Sequence, residues 1–170
     1  MIDIKKALRF DTKFFTQLGK IVVKKHKSHI QNKKIDVRGK GVAPYTKAYE
    51  RRKKNGKAVK SGQKQKSFST TPDLTLTGDM FKSFKFLKSD SKGFKYGITD
   101  SKQANKLIGN QFGSFGKNIN RSKKRLVSTE SQPLPKDLQE MVMKEMSKQI
   151  VRQISKEIRS KGMGVKVYKI

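Results

Sequence analysis

The excess of positive charge is the property that most constrains how this chain can fold. The 170 residues contain 42 Lys and Arg against 13 Asp and Glu, which gives a formal net charge of +29. Self-repulsion on this scale opposes a compact monomer, and apolar residues make up only 33% of the chain, which is low for a globular domain. We therefore expect a single domain (residues 1–170) with a small core, parts of which become ordered only against acidic partners.

The residue types also exclude several classes of protein. The chain has no Cys and only two His, so disulfides, thiolate chemistry and a transition-metal site are not expected. His26 and His29 lie one helical turn apart but are flanked by lysines, and we interpret them as solvated. Short apolar runs predict no membrane segment, and no secretory peptide is recognisable at the start. We expect a protein made and used in the cytosol, or in something assembled there.

No catalytic pattern stands out either. Four of the carboxylates, Asp73, Asp79, Asp90 and Asp100, occupy positions that turns and helix caps explain. The chain contains no nucleophile elbow, phosphate-binding loop or dinucleotide fingerprint. We therefore predict that it is not an enzyme and that it carries no cofactor or metal.

Apolar periodicity predicts helices in the first third of the chain. Spacings of three and four from Phe14 to Val22 indicate a helix that Asp11 or Thr12 caps and that ends near Asn32. A second, short helix is predicted over 45–54, beside Pro44. The polar run that follows has no period, and we interpret residues 52–72 as a flexible basic arm.

Alternation of apolar and polar residues predicts a hairpin in the middle of the chain. Phe84 and Phe86 fall on one strand, and residues 94–98 on the other. Between them, residues 89–93 form a loop in which Gly93 is expected to supply a positive φ. A helix over 102–110, capped by Asp100 or Ser101, should follow, and then an extended segment over 114–134.

The longest helix is predicted from Pro135 to about residue 160. Its apolar residues form an i, i+4 row, and a basic row lies about 200° away, on the opposite face. The apolar row consists of Leu138, Val142, Met146, Ile150, Ile154 and Ile158, and the basic row of Lys144, Lys148, Arg152 and Lys156. A final strand is predicted over 165–170. The fold class is thus α+β, with two long helices packed on a small, mostly antiparallel sheet made of hairpin 84–98 and the C-terminal strand.

Basic residues are concentrated in two places. From Lys20 to Lys66, 17 Lys and Arg accompany only Asp36 and Glu50, as in a surface that faces phosphate. The alternative is a lysine-rich surface that docks on acidic proteins. Candidate contacts with a partner or with phosphate are Arg51, Arg52, Lys53, Lys54, Arg121, Lys123, Lys124 and Arg125.

The order of motifs from Pro44 to the C-terminal helix resembles that of a tailed-phage family. This family comprises the virion morphogenesis and tail-completion (neck) proteins of the Mu-like type. The resemblance runs over about residues 11–160. The residues that match the family's motifs, all with expected structural roles, are Pro44, Thr77, Gly78, Ser83, Gln111, Phe112 and Gly113.

The resemblance implies a non-enzymatic virion protein of the phage neck or tail, assembled in the host cytoplasm. Such a protein would be one subunit of a homo-oligomeric ring, acting in tail completion or head–tail joining. Its neighbours would be other neck, portal-side or tail-tube proteins, with nonspecific contact to packaged DNA where basic surface lines a lumen. The alternative is a basic protein that binds nucleic acid without sequence preference.

Overall fold

A computed structural model describes residues 9–34, 36–41, 44–70, 72, 78–112, 127–128, 131–160 and 162. Within these ranges the α+β class is confirmed: a two-stranded antiparallel sheet lies among five α-helices. The elements are α1 (Thr12–Ser28), α2 (Lys47–Lys54), α3 (Asp79–Ser83), β1 (Phe84–Ser89), β2 (Phe94–Ile98), α4 (Ser101–Phe112) and α5 (Lys136–Ser160). The predicted C-terminal strand at 165–170 and most of segment 114–134 lie outside the described residues.

Helix α1 begins and ends as its sequence predicts. The Asp11 side chain accepts a hydrogen bond from the backbone N–H of Phe14 at 2.6 Å, which satisfies one of the open donors of the first turn. The helix continues as a π-helical turn, His29–Lys33, and Lys34 then turns the chain with a φ of 54°. Helix α2 starts two residues later than predicted, because Thr46 rather than Pro44 provides the N-cap.

The hairpin is confirmed, but its loop is closed differently from the prediction. Gly93 does not have a positive φ. Instead, an Asp90 carboxylate oxygen accepts hydrogen bonds from the backbone N–H groups of Lys92 and Gly93, at 2.7 and 3.0 Å. An Asx-type turn therefore performs the role expected of glycine. The strand pairing also shifts between Phe86 and Lys88, which leaves Leu87 in a bulge.

Buried apolar residues form two clusters, one on α1 and one on the π-helical turn that continues it. In the first, Phe15, Leu18 and Val22 pack against the hairpin and against α5 residues Met141, Val142 and Met146. In the second, Ile30 packs with Met80, Phe81 and Val127. Helix α1 therefore lies between the hairpin and α5: α1 packs on the sheet and α5 packs mainly on α1, whereas the sequence predicted that both helices pack on the sheet.

Helix α1 approaches the hairpin closely at Gly19. A Cβ atom at this position would lie 2.7 Å from Phe86 Cδ2 and 2.9 Å from Phe94 Cδ2. These distances are shorter than real carbon contacts, so glycine is what permits the two aromatic rings to pack directly on the helix backbone.

Helices α4 and α5 follow the predicted pattern. Asp100 accepts a hydrogen bond from the backbone N–H of Gln103 at 2.9 Å and caps α4. Helix α5 has 25 residues, which correspond to a length of about 37 Å. The four basic residues of its outer row are exposed, whereas its apolar row is buried or half-buried.

Candidate interaction surfaces

The motif residues near α3 hold the second cluster together. Gly78 has a φ of 82° and begins α3, a left-handed conformation that glycine adopts without strain. Helix α3 then buries Met80 and Phe81. The Ser83 hydroxyl donates to the Met80 carbonyl at 2.9 Å, and the Ser83 carbonyl accepts from the backbone N–H of Thr99, also at 2.9 Å. Thr77, expected to cap this turn, lies outside the described residues.

The remaining motif residues have similar, structural positions. Gln111 donates from Nε2 to the Ser128 carbonyl at 2.5 Å, which joins the end of α4 to the segment at Val127. Pro44 is exposed and precedes α2, and Phe112 is the last residue of α4. Gly113 lies outside the described part of the chain. The described motif residues thus connect elements of the fold.

Both histidines are buried, so the interpretation that they are solvated is wrong. His26 is only 1% exposed, and its Nε2 lies 3.2 Å from the Val127 carbonyl, which can only accept. Nε2 therefore carries the proton, and Nδ1 accepts from the Tyr96 hydroxyl at 3.1 Å. Burial lowers the pKa of His26 to about 4 and raises the pKa of Tyr96 to about 12, so both groups are neutral at pH 7.

His29 faces a different element. Its Nδ1 lies 3.5 Å from a carboxylate oxygen of Asp137, whose other oxygen accepts a hydrogen bond from Lys33. Although partial burial opposes it, the net effect of Lys33 and His29 is to lower the pKa of Asp137. In the described ranges no three His, Asp or Glu residues converge as metal ligands would. These contacts tie the π-helical turn to the start of α5.

A cleft of about 340 Å³ separates the hairpin from α4, but its walls offer little chemistry. His26 and Tyr96 contribute its principal polar side chains, and these bond to each other. The rest of the wall is mainly apolar, with Phe84, Ile98 and Leu107. General acid–base catalysis needs a group that titrates near the working pH, and the pKa values of these two lie far from it.

The 52–72 segment is anchored to α2 by one glutamine. Gln65 is 8% exposed, and its Nε2 donates to the carbonyls of Lys53 and Ser67 at 2.5 and 2.9 Å. Its Oε1 accepts from the backbone N–H of Ala58 at 3.4 Å. The described part of the segment, residues 52–70 and Pro72, therefore folds back towards α2 and contains no regular element after Lys54.

Lys53 is not an accessible contact, contrary to the prediction. Its side chain is fully buried, with Nζ 3.2 Å from the Tyr45 hydroxyl and 4.9 Å from the centre of the same ring. Hydrogen bonding and cation–π attraction there replace its contact with water. Arg51, Arg52 and Lys54 remain exposed. The second predicted cluster, Arg121, Lys123, Lys124 and Arg125, lies outside the described residues.

A further basic feature of the described structure combines lysines of α1 with lysines of the hairpin. Lys13, Lys20 and Lys27 are spaced by seven residues and therefore share one face of α1, and Lys85, Lys88 and Lys95 lie on the hairpin face that points away from α1. We call these six residues the lysine surface. On α1, the seven-residue spacing of Lys13, Lys20 and Lys27, within a stretch from 12 to 35 that contains no Asp or Glu, is the sequence pattern that could have indicated a basic face.

Like charges meet directly on this surface. Lys88 and Lys95 are cross-strand partners, an arrangement that destabilises a hairpin when nothing compensates it. Partial burial and the neighbouring Lys85 lower the pKa of Lys27.

Helix α5 extends beyond the clusters that support it. Met146 is its last residue packed against the first cluster, and the half-buried Ile150, Ile154 and Ile158 belong to neither cluster. Met143 and Val151 are 63% and 47% exposed. The second half of α5 thus carries apolar surface that these clusters do not use.

Comparisons with family models, with curated proteins and with solved structures each return no match. Among the described helices, none has the length and apolar character needed to cross a membrane.

Proposed function

We propose that this protein is a structural subunit of a phage neck or tail that acts by assembling into a ring. The observation that carries the proposal is the apolar surface that α5 leaves open, where Met143 and Val151 are 63% and 47% exposed beside a half-buried row of isoleucines. A helix with one apolar and one charged face is stable in water only when the apolar face finds a partner. A neighbouring subunit of the ring provides that partner in this proposal.

The motif residues support the same proposal. Gly78, Ser83 and Gln111 make backbone connections between α3, the hairpin and α4. These are the structural roles that the resemblance to the tail-completion family implies for them. The cleft beside His26 offers no group poised for catalysis, which agrees with an assembly role.

Size measurement tests the ring directly. We expect the wild-type protein to form a discrete oligomer, seen as one mass by light scattering and as rings by electron microscopy, either alone or with a neck, portal-side or tail-tube protein from the same gene neighbourhood. Ile154→Gln should weaken or abolish the oligomer, because it places an amide in the apolar row. Lys156→Gln, on the exposed face of the same helix, should leave it intact.

Two outcomes would contradict the proposal. A protein that stays monomeric at all concentrations, and with each of those neighbours, is not a ring subunit. Oligomers that respond equally to Ile154→Gln and Lys156→Gln would show that the apolar row is not the interface. Circular dichroism of both variants establishes that any loss of assembly is not a loss of folding.

A second candidate function is sequence-nonspecific binding of nucleic acid by a monomer. The exposed Arg51, Arg52 and Lys54 on α2 and the carboxylate-free α1 favour it. Tight, steeply salt-dependent DNA binding by a chain that never assembles would favour this candidate over the ring.

A further inference from the structure

We propose that the lysine surface binds the sugar–phosphate backbone of duplex DNA without reading its sequence. The six lysines (Lys13, Lys20, Lys27, Lys85, Lys88 and Lys95) come from α1 and from the hairpin; Lys20 and Lys27 fall within the basic stretch from Lys20 to Lys66, but none of the six is among the candidate contacts predicted from the sequence. The inference rests on the proposed function only in naming packaged DNA as the natural source of the duplex. The binding surface itself is argued from the positions and charges of these residues.

The charges of this surface are only partly compensated, by Asp90, whose pKa the nearby Lys88 and Lys92 help to lower. Among the described residues none of the six lysines forms an ion pair. The neighbouring carboxylates are Asp11 and Asp90, and each already accepts backbone N–H bonds that cap α1 or close the hairpin. A bound polyanion would relieve the repulsion between Lys88 and Lys95.

The shape of the surface suits an extended anion. Lys13, Lys20 and Lys27 are seven residues apart, so they follow the axis of α1 at intervals of about 10 Å over about 21 Å in total. Ser89 Oγ of the hairpin lies 2.7 Å from Thr16 Oγ1 of α1, and the charge of Lys85 helps to lower the pKa of Lys27, so the hairpin runs beside the row on α1. At the hairpin tip, Lys88, Lys92 and Lys95 line a shallow cleft of about 210 Å³.

The cations of this surface suit contact that does not fix a register. All six residues are lysines, which act as point charges, whereas the planar fork of arginine fixes a bidentate geometry on a carboxylate or a phosphate. Point charges on flexible stems hold a phosphate backbone without fixing its register. Such contact lets a duplex move across the surface.

The other side of α1 supplies a matched control. Leu18 and Val22 are each two residues from Lys20, or about 200° around the helix, and they belong to the cluster that packs on α5. Helix α5 therefore lies on the side of α1 opposite the lysine row. Its exposed Lys136, Lys144 and Lys156 can be neutralised with the same change in net charge.

The experiment measures binding of a fluorescently labelled duplex by anisotropy over a range of salt concentrations. The test protein carries Lys20→Gln, Lys27→Gln and Lys85→Gln, and the control carries Lys136→Gln, Lys144→Gln and Lys156→Gln. We expect the test protein to bind about tenfold more weakly than wild type or worse, with a salt slope shallower by about 2 to 3. The control should stay within about threefold of wild type, because it lacks only long-range charge. Melting curves verify that both proteins fold.

Three results would overturn the inference. They are equal weakening by the two triple variants, no salt-dependent binding by the wild type, and competition by polyglutamate as effective as that by unlabelled duplex of equal charge. If the triple variant of the lysine surface is unstable, the double variant Lys88→Gln with Lys95→Gln repeats the binding test at the hairpin. DNA binding is measured on the isolated chain, so an absence of binding would not affect the test of ring assembly. A chain that stays monomeric but binds DNA through this surface would refute the ring proposal and leave the DNA-binding proposal standing.

Discussion

Replacing Gly19 by Ala tests the close packing of α1 on the hairpin. Glycine is unfavourable inside a helix, and alanine at an ordinary position would stabilise α1 by about 1 kcal/mol. At Gly19, however, the new Cβ would lie 2.7 Å from Phe86 and 2.9 Å from Phe94, whereas ordinary contact begins at 3.4 Å. Two rings must therefore retreat by about 0.5 to 0.7 Å, the shortfall from that limit.

The packing penalty is expected to exceed the gain in helix propensity. Overpacking a well-packed site typically costs about 1 to 3 kcal/mol, and subtracting the propensity gain leaves a net loss of up to about 2 kcal/mol. For a domain of this size a loss of about 2 kcal/mol lowers the melting temperature by about 4 to 8 °C, so we expect a fall of up to about 8 °C. Chemical denaturation followed by circular dichroism measures the free energy of unfolding itself.

Gln17 provides the reference for intrinsic propensity. It lies on the exposed side of α1, so Gln17→Ala should be more stable than Gln17→Gly by about 1 kcal/mol. The change in the free energy of unfolding should therefore have opposite signs at the two positions: alanine makes the protein more stable than glycine does at position 17 and less stable at position 19. A Gly19→Ala protein that is more stable than wild type would refute the close approach.

Three further predictions concern other parts of the fold. The pKa of His26 is about 4 in the folded protein against 6.5 for the free side chain, so the unfolded chain takes up the proton first as pH falls. The contribution of neutral His26 to the free energy of unfolding is complete above about pH 6.5. It is about 2 kcal/mol smaller at pH 5 than at pH 7. Denaturant unfolding at both pH values should show this loss, His26→Asn should reduce it, and equal stability at pH 5 and 7 would contradict it. Gly78→Val should lower the melting temperature, because a β-branched residue at a φ of 82° is strained by at least about 1 to 2 kcal/mol. The control is Gly41→Val, at a position with open space around it and without a positive φ. An unchanged melting temperature for Gly78→Val would show that the backbone at this position is not strained by a side chain. Gln65→Leu should speed trypsin cleavage within 55–70, since the carbonyls of Lys53 and Ser67 lose their donor. The exposed Gln63→Leu should not speed it, and equal cleavage rates in the two variants would show that Gln65 does not anchor the segment.

Local patterns predicted the elements that depend on local rules. Asp11 and Asp100 cap their helices because a side-chain oxygen needs only a neighbouring backbone N–H. The hairpin strands followed from alternation of apolar residues, which the buried face of a sheet imposes. The opposite apolar and basic faces of α5 followed from helix geometry alone.

The errors involve partners that are distant in sequence or specific turn chemistry. His26 and His29 are surrounded by lysines along the chain, but their partners Val127 and Asp137 lie more than 100 residues away. Burial of Lys53 depends on the position of the Tyr45 ring, which its Nζ contacts. The Gly93 error arose because Asp90 closes the loop with its side chain and removes the need for a positive φ.

The lysine surface shows the same limit at the level of function. The rows on α1 and on the hairpin are each visible in the sequence, yet only the packing of one element on the other makes them neighbours. By contrast, the basic clusters chosen by density along the chain include the buried Lys53. Density in sequence is therefore a weak guide to which charges a partner can reach.

The position of α1 between the hairpin and α5 has a consequence for synthesis of the chain. Its apolar face is covered by Met141, Val142 and Met146 of α5, and the ribosome makes these more than 100 residues after α1. At about 5 to 20 residues per second, α1 waits for its partner for about 5 to 20 s. During that interval repulsion between the lysines of neighbouring nascent chains opposes association through the uncovered face. The lysine charges that repel one another in the folded protein thus also oppose aggregation of the partly synthesised chain.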